Sequence, residues 1–265
     1  MNSSTPTPLQ EAAAAMPAIT LEEMESVKLL NRVDSKFVTD TSTLLKVLED
    51  ARKAGYSALQ TGGSKLIPYS SVYYDTPGMK MFRDHHNRHL VREKVRTRVY
   101  LNSGLSFLEI KLKNNHGRTK KKRTPIPESE LKDFTFDDTA CAYLAAHSAV
   151  TADMITPVLS TNFTRITLVN SQRSERITID TDLHFENYRT GNSVSLDGLA
   201  IIELKQDSLQ QSTMRDILLA HRVKQMRVSK YCIAVVLTDT DAKGNRFKPK
   251  VRTIEKIMNK KFDVI

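Results

Sequence analysis

Residues 90–101, LVREKVRTRVYL, decide how this chain folds. The even positions hold Arg92, Lys94, Arg96 and Arg98, and the odd ones hold Val91, Val95, Thr97 and Val99. Successive side chains of a β-strand point to opposite faces, so the segment builds one basic face and one apolar face. Asn102-Ser103-Gly104 is a turn signal, and residues 107–113, FLEIKLK, then set Glu109, Lys111 and Lys113 against Leu108, Ile110 and Leu112. The two runs form a predicted hairpin with a charged and an apolar face.

The same alternation recurs on both sides. Residues 70–76 (SSVYYDT) end at Pro77-Gly78, and residues 162–169 carry Arg165 and Thr167 opposite Ile166 and Leu168. Residues 176–183 set Arg176, Thr178, Asp180 and Asp182 against Ile177, Ile179 and Leu183. Residues 200–206 place Glu203 and Lys205 opposite Ile202 and Leu204, and residues 32–36 (RVDSK) start the series. A single charged strand face ordinarily meets solvent. A set this rich in Arg and Lys suits an antiparallel sheet closed into a barrel, with cations lining the lumen and apolar rows outside under helices. Like charges repel strongly at low dielectric, so such a lumen calls for a polyanion.

Helical spacing over residues 43–53, after Thr39-Asp40-Thr41 and before Gly55, supplies one covering helix. Residues 137–149 and 212–223 supply two more, and Ser229 reads as the N-cap of a short helix over 231–237. Residues 1–20 open with a run of Pro, Ser, Thr and Ala and read as disordered, residues 21–240 as one domain, and residues 241–265 as a basic helix or arm.

The chain has 265 residues, with 40 Lys and Arg against 30 Asp and Glu. Fourteen of those bases and only three acids lie in residues 80–123, which leaves the remainder close to neutral. The excess charge points to anionic partners. Cys141 and Cys232 cannot form a disulfide framework, no apolar run reaches the roughly 20 residues of a membrane helix, and no secretory leader stands at the start, so a cytoplasmic setting is expected. Phosphate-binding glycine loops, kinase motifs, G-x-S-x-G and H-E-x-x-H are absent. Any phosphate must therefore be held by side chains. His85, His86 and His89 read as exposed loop residues, since no Cys or further His stands at zinc-ligand spacing. With no Trp and 6% aromatics, base-stacking platforms are scarce and nucleic acid is not an expected partner.

The ordered motifs YYDTPGMKMFRDH from Tyr73, REKVRTRVY from Arg92, FLEIKLK from Phe107, GRTKKKR from Gly117, ELK from Glu203 and SKY from Ser229 resemble the catalytic domain of the vacuolar transporter chaperone (VTC) family. These are polyphosphate polymerases of the triphosphate tunnel metalloenzyme superfamily. The resemblance spans residues 25–237. It implies an α+β fold, a closed antiparallel eight-stranded β-barrel (tunnel) with a basic lumen and helices packed outside. It also implies transfer of the γ-phosphate of ATP to a growing inorganic polyphosphate chain, with Mn²⁺ or Mg²⁺.

Carried over position by position, Lys36, Arg96, Arg98 and Lys230 are the implied catalytic residues. Arg32, Lys94, Lys111, Lys113, Arg165, Arg176, Lys205 and Ser229 are implied substrate binders, and Glu203 is the implied metal ligand. Arg32 stands where the wider superfamily carries a glutamate, which favours a polymerase over a two-metal hydrolase. Asp34, Glu109, Asp180 and Asp182 either join the chemistry or pair with lumen arginines. Lys120, Lys121 and Lys122 fit a tunnel strand, a capturing mouth or a solvated run. Arg96→Ala is expected to cut turnover while leaving the fold intact, by removing a repulsive charge. A triphosphatase on the same fold and a non-catalytic polyphosphate binder stand as alternatives, with peripheral contact to a membrane protein or acidic membrane surface as a further expectation.

Overall fold

Alternation at period two fixes the hairpin, and hairpin by hairpin it fixes the sheet. The computed structural model describes residues 5–25, 32–207 and 211–262. Its elements run α1 (Pro8–Ala15), β1 (Ala18–Ile19), α2 (Leu21–Glu25), β2 (Arg32–Asp40), α3 (Thr41–Lys53), β3 (Ser57–Leu59) and β4 (Ile67–Asp75). There follow α4 (Lys80–His86), β5 (Arg92–Tyr100), β6 (Leu105–Lys113), β7 (Thr119–Pro125), α5 (Asp138–His147) and β8 (Thr156–Val169). The last are β9 (Glu175–Asn187), β10 (Ser193–Leu196), β11 (Leu199–Asp207), α6 (Thr213–Ala220), α7 (Lys230–Thr238) and α8 (Lys248–Met258).

The main path of the sheet is β2-β11-β9-β8-β4-β5-β6-β7, with antiparallel neighbours throughout. It holds eight strands, but among the described residues no hydrogen bonds join β2 to β7, so the expected closed barrel is not formed. The chemistry of the two end strands accounts for this. β7 (TKKKRTP) is exposed along most of its length, and lysines on an edge together with a terminal proline discourage further pairing. The free edge of β2 is taken by another segment, since Phe37 bridges to Gln225 and Met226 N donates to Lys36 O at 2.7 Å.

The outer face carries two apolar groups. Phe37, Ile166, Leu168, Ile177, Ile179, Ile202 and Leu204 pack under α1, α3 and α6. Val72, Tyr74, Val95, Leu108 and Ile110 pack under α5. A third group lies on the inner face: Val38, Tyr73, Leu159, Phe163, Leu183, Phe185 and Ile201 meet α7, which is buried from Tyr231 to Thr238. One end of the interior is therefore filled by a helix, and the other end is polar. Ser229 caps α7 as expected, its Oγ accepting from Cys232 N at 3.4 Å.

A bulge makes the change from polar to apolar. β8 and β9 pair Arg165 with Asp180 and Thr164 with Thr181, then Asn162 with His184. The slipped residue reverses which parity faces inward. Thr178 and Asp180 face the interior, but beyond the slip Leu183 and Phe185 do so. Asp182, placed by simple alternation on the charged inner face, is instead exposed with φ 52°.

Residues 8–15 also depart from expectation. They form α1, because Thr7 and Gln10 build a reciprocal capping box around Pro8 and because Leu9, Ala13 and Met16 are buried against α3. Residues 248–258 adopt the helical one of the two forms expected for the C-terminal segment.

Asp182 sits in the left-handed region at the slip. Asp182→Gly is therefore expected to hold or raise the urea midpoint. Asp182→Val is expected to cost about 1–2 kcal/mol, the penalty of a branched side chain in that conformation.

Candidate functional site

The inner-face register gathers the charged side chains. Across β5 and β6, Arg92 lies opposite Lys113, Lys94 opposite Lys111, and Arg96 opposite Glu109. Lys111 in turn faces Lys121 on β7. From the other half of the sheet, Lys36 faces Glu203 and Glu203 faces Thr178, while Lys205 lies between Asp34 and Arg176. Lys36 and Glu203 both act on the charge of Lys111, so the two unjoined ends of the sheet curl towards one another across a polar bore.

Three acids on the bore's wall, Glu109, Asp180 and Glu203, each clasp two cations. Glu109 accepts from Arg96 Nε and Nη2 at 2.8 and 2.6 Å, and from Lys121 Nζ at 2.7 Å. Asp180 accepts two hydrogen bonds from Arg165, at 2.5 and 2.8 Å, and one from Lys230. Glu203 lies 2.8 Å from Lys205 Nζ and 3.7 Å from Lys36 Nζ. Burial alone would raise these carboxyls. Arg96, Arg98 and Lys121 nevertheless hold Glu109 well below the usual range, Arg165 and Lys230 do so for Asp180, and Lys36 and Lys205 for Glu203.

Three cations stand outside these clasps. Arg98 is buried against the stacked rings of Tyr69 and Phe163 and donates only to Ser71 Oγ, at 3.0 Å, among the described residues. Burial and then Arg96 bring it down to about 10. Lys111 reaches solvent at the bore, yet desolvation and the facing Lys36 bring its ammonium to about 8. Lys94 Nζ donates to Ser229 Oγ at 2.7 Å, and burial likewise lowers its ammonium. Lys230, at the first turn of α7, falls to about 8, chiefly through burial.

The expected site residues thus divide. Lys36, Lys94, Arg96, Arg98, Lys111, Arg165, Lys205, Lys230 and Glu203 meet in the bore, and Ser229 stands at its floor. Arg176 is half-buried beside Lys205, and Lys113 lies at the far end of β6 with Arg92. The side chain of Arg32 lies outside the described residues.

Two more residues join the bore: Lys121, one of the three lysines that fit a tunnel strand, and Tyr73, which motif reasoning missed. Lys121 belongs to the bore, which resolves the lysine run into an alternating strand. Tyr73 accepts from Arg96 Nη1 at 3.0 Å and stacks on Tyr231 at 5.0 Å. Burial would raise its phenol, but Arg96, Arg98, Lys94 and Lys230 bring it to about 8. Its signal was register, since Tyr73 lies directly opposite Arg96.

Of the three histidines expected in an exposed loop, only His89 is there. His85 and His86 belong to α4, and His86 is buried between Asn87 and Asn245. Among the described residues no three His, Cys, Asp or Glu side chains converge as a metal site. The bore fits a divalent cation only as one carboxylate, Glu203, completed by phosphate oxygens, a common mode for Mg²⁺.

A VTC domain family model matches residues 31–238. Among curated proteins none matches significantly. An adenylate cyclase candidate from Bacillus halodurans shares 12% identity, covering 82% of this chain and 99% of that one with a TM-score of 0.50, a likeness of fold alone. An adenylyl cyclase candidate from Hippeastrum, described as having a dominant triphosphatase activity, shares 13% identity over 76% of this chain and 94% of that one, with a TM-score of 0.48.

Asp180→Asn leaves Arg165 and Lys230 without their shared acid. It is expected to cost about 3–5 kcal/mol in urea unfolding, with tripolyphosphate restoring more stability to the variant than to the wild type. Lys111 and Lys230 lose their protons, and Tyr73 ionises, near pH 8. Affinity for tripolyphosphate should therefore fall as pH rises through about 8, measured by calorimetry. Stability of the ligand-free protein moves the other way. These lysines titrate below their ordinary 10.5, so the unfolded chain binds more protons between about 8 and 10.5 and their contribution favours folding as pH rises through that window.

Proposed function

The chain belongs to the VTC domain family, and from that premise we propose that it is a polyphosphate polymerase, transferring the γ-phosphate of ATP to the end of an inorganic polyphosphate chain. The observation that carries this reading is the surplus of inward cations: Glu109, Asp180 and Glu203 are each already shared by two of them, and Arg98, Lys94 and Lys111 form no ion pair among the described residues.

Phosphoryl transfer asks the protein for alignment and charge neutralisation more than for covalent chemistry. Arg96, Arg98, Lys111, Arg165, Arg176 and Lys205 hold the triphosphate, and Lys36 and Lys230 orient the γ-phosphate. Arg32, Lys94, Lys113 and Ser229 extend the binding surface. A terminal oxygen of the polyphosphate acceptor attacks phosphorus in line, the bond to the β-phosphate oxygen breaks, and the electron pair leaves with ADP. The acceptor oxygen is already ionised, so no strong general base is needed. Glu203 would hold Mn²⁺ or Mg²⁺, and the metal would supply further neutralisation of the transferring group.

Arg98 is the informative position. Arg96 is bonded to Glu109, so Arg96→Ala does more than relieve repulsion: it strands a buried carboxylate on Lys121 alone. Arg98 has no acid to strand.

Incubation of the protein with ATP and Mn²⁺ is expected to yield polyphosphate, with Arg98→Ala lowering the rate by about 10²-fold or more at unchanged thermal stability. Release of orthophosphate without polymer would make the protein a triphosphatase, and neither product would make it a binder.

A further inference from the structure

The C-terminal helix lies beyond the matched residues, yet it is tied to the floor of the bore. His86 Nε2 and Asn245 Oδ1 are 2.6 Å apart, and Arg246 Nη1 donates to the His86 carbonyl at 3.3 Å. Phe247 packs on Phe82, His85 and His86, and Val251 and Ile254 join the apolar group of α7. This seating sets Lys250 5.4 Å from the Phe247 ring centroid and among Arg88, Arg227 and Lys94, which act on its charge.

Arg227 arrives from the opposite direction. The bond from Met226 N to Lys36 O lays the residues before α7 along the edge of β2, where Arg227 stands near Lys113, itself opposite Arg92. Four separate parts of the chain thus bring Arg88, Arg92, Lys113, Arg227 and Lys250 around one place. None of the five forms an ion pair with a carboxylate among the described residues, whereas Glu109, Asp180 and Glu203 in the bore each clasp two cations. His85 is drawn into the same field: its Nδ1 is buried without a partner, and burial followed by Lys94, Arg92 and Lys250 lowers it to about 2.

Lys94 connects this cluster to the bore. Its ammonium bonds Ser229 at the floor and interacts with both Lys36 inside and Arg92 outside. The cations therefore form a continuous track, with its outer part uncompensated. A linear polyanion carrying a charge at every unit matches a track better than a compact anion does. We propose that Arg88, Arg92, Lys113, Arg227 and Lys250 form a rim that grips the continuing chain of long inorganic polyphosphate outside the bore, with α8 supplying a part of the rim from beyond the family's domain. This rests on the reading of the bore as a phosphate site.

The test compares wild-type protein with Arg227→Ala/Lys250→Ala and Arg227→Glu/Lys250→Glu, each checked for unchanged thermal unfolding. Titrations use tripolyphosphate and long-chain sodium polyphosphate over a range of KCl. The alanine pair is expected to weaken long-chain binding about tenfold and to reduce the salt slope by about 1.4, two contacts at about 0.7 each, with tripolyphosphate affinity unchanged. The glutamate pair should weaken it further. Unchanged long-chain affinity, or an equal loss for tripolyphosphate, would overturn the rim while leaving the bore standing. Phosphatidylserine vesicles form a separate arm: loss of vesicle binding with polyphosphate binding intact would make this face a membrane surface and also overturn the rim. A wild-type protein that binds neither phosphate would remove bore and rim together. Polymer synthesis is read in a different assay, so its absence would not be mistaken for failure of the rim.

Discussion

Repulsion among cations confined inside a curled sheet is the constraint on which the rest of this molecule depends. Arg and Lys side chains on facing strands cannot be packed at low dielectric without either partners or water. The chain meets the problem with shared acids. Glu109, Asp180 and Glu203 each hold two cations from different strands, so three carboxylates tie together β2, β5, β6, β7, β8, β9, β11 and the start of α7. The ties are incomplete by design of the composition: two cations to one acid leave net charge behind at each node. What holds the ligand-free interior together also leaves it poised for an anion.

The open seam and the filled end follow from neighbouring choices. A basic edge strand resists pairing, so β7 stays free, while β2 is covered by residues 225–226 on the way into α7. That route sends an apolar helix into the interior, where the bulge in β9 has turned Leu183 and Phe185 inward to receive it. The helix brings its own cation, Lys230, to Asp180 and its capping serine to Lys94. Packing at one end of the sheet thus positions charge at the other, and a core substitution there would reach the phosphate site through Lys230.

Proximity also lowers the proton affinity of the cations themselves. Lys111 and Lys230 titrate near 8 and Tyr73 ionises in the same range, so the bore adjusts its charge by exchanging protons as well as by exchanging partners. An entering phosphate chain favours the ammonium forms and the neutral phenol, and proton uptake would then accompany binding.

Much of this was legible in the residues alone. Period-two alternation gave the hairpin of β5 and β6, the inward basic row and the apolar outer face, because a strand's two faces are set by local geometry. Asp40 and Ser229 marked the starts of α3 and α7, because capping is a contact within one turn. Tertiary structure alone decided the rest. A one-residue slip between β8 and β9 moved Asp182 outward, and the only local mark of it in 176–183 is Thr181, a polar residue in the apolar row. The sharing of Glu109 between Arg96 and Lys121 depends on three strands in register. Whether the sheet closes depends on two edges far apart in sequence, and the place of α8 depends on His86 meeting Asn245, 159 residues away. Local pattern sets which face a side chain takes, but which cations share an acid is a property of strands brought together.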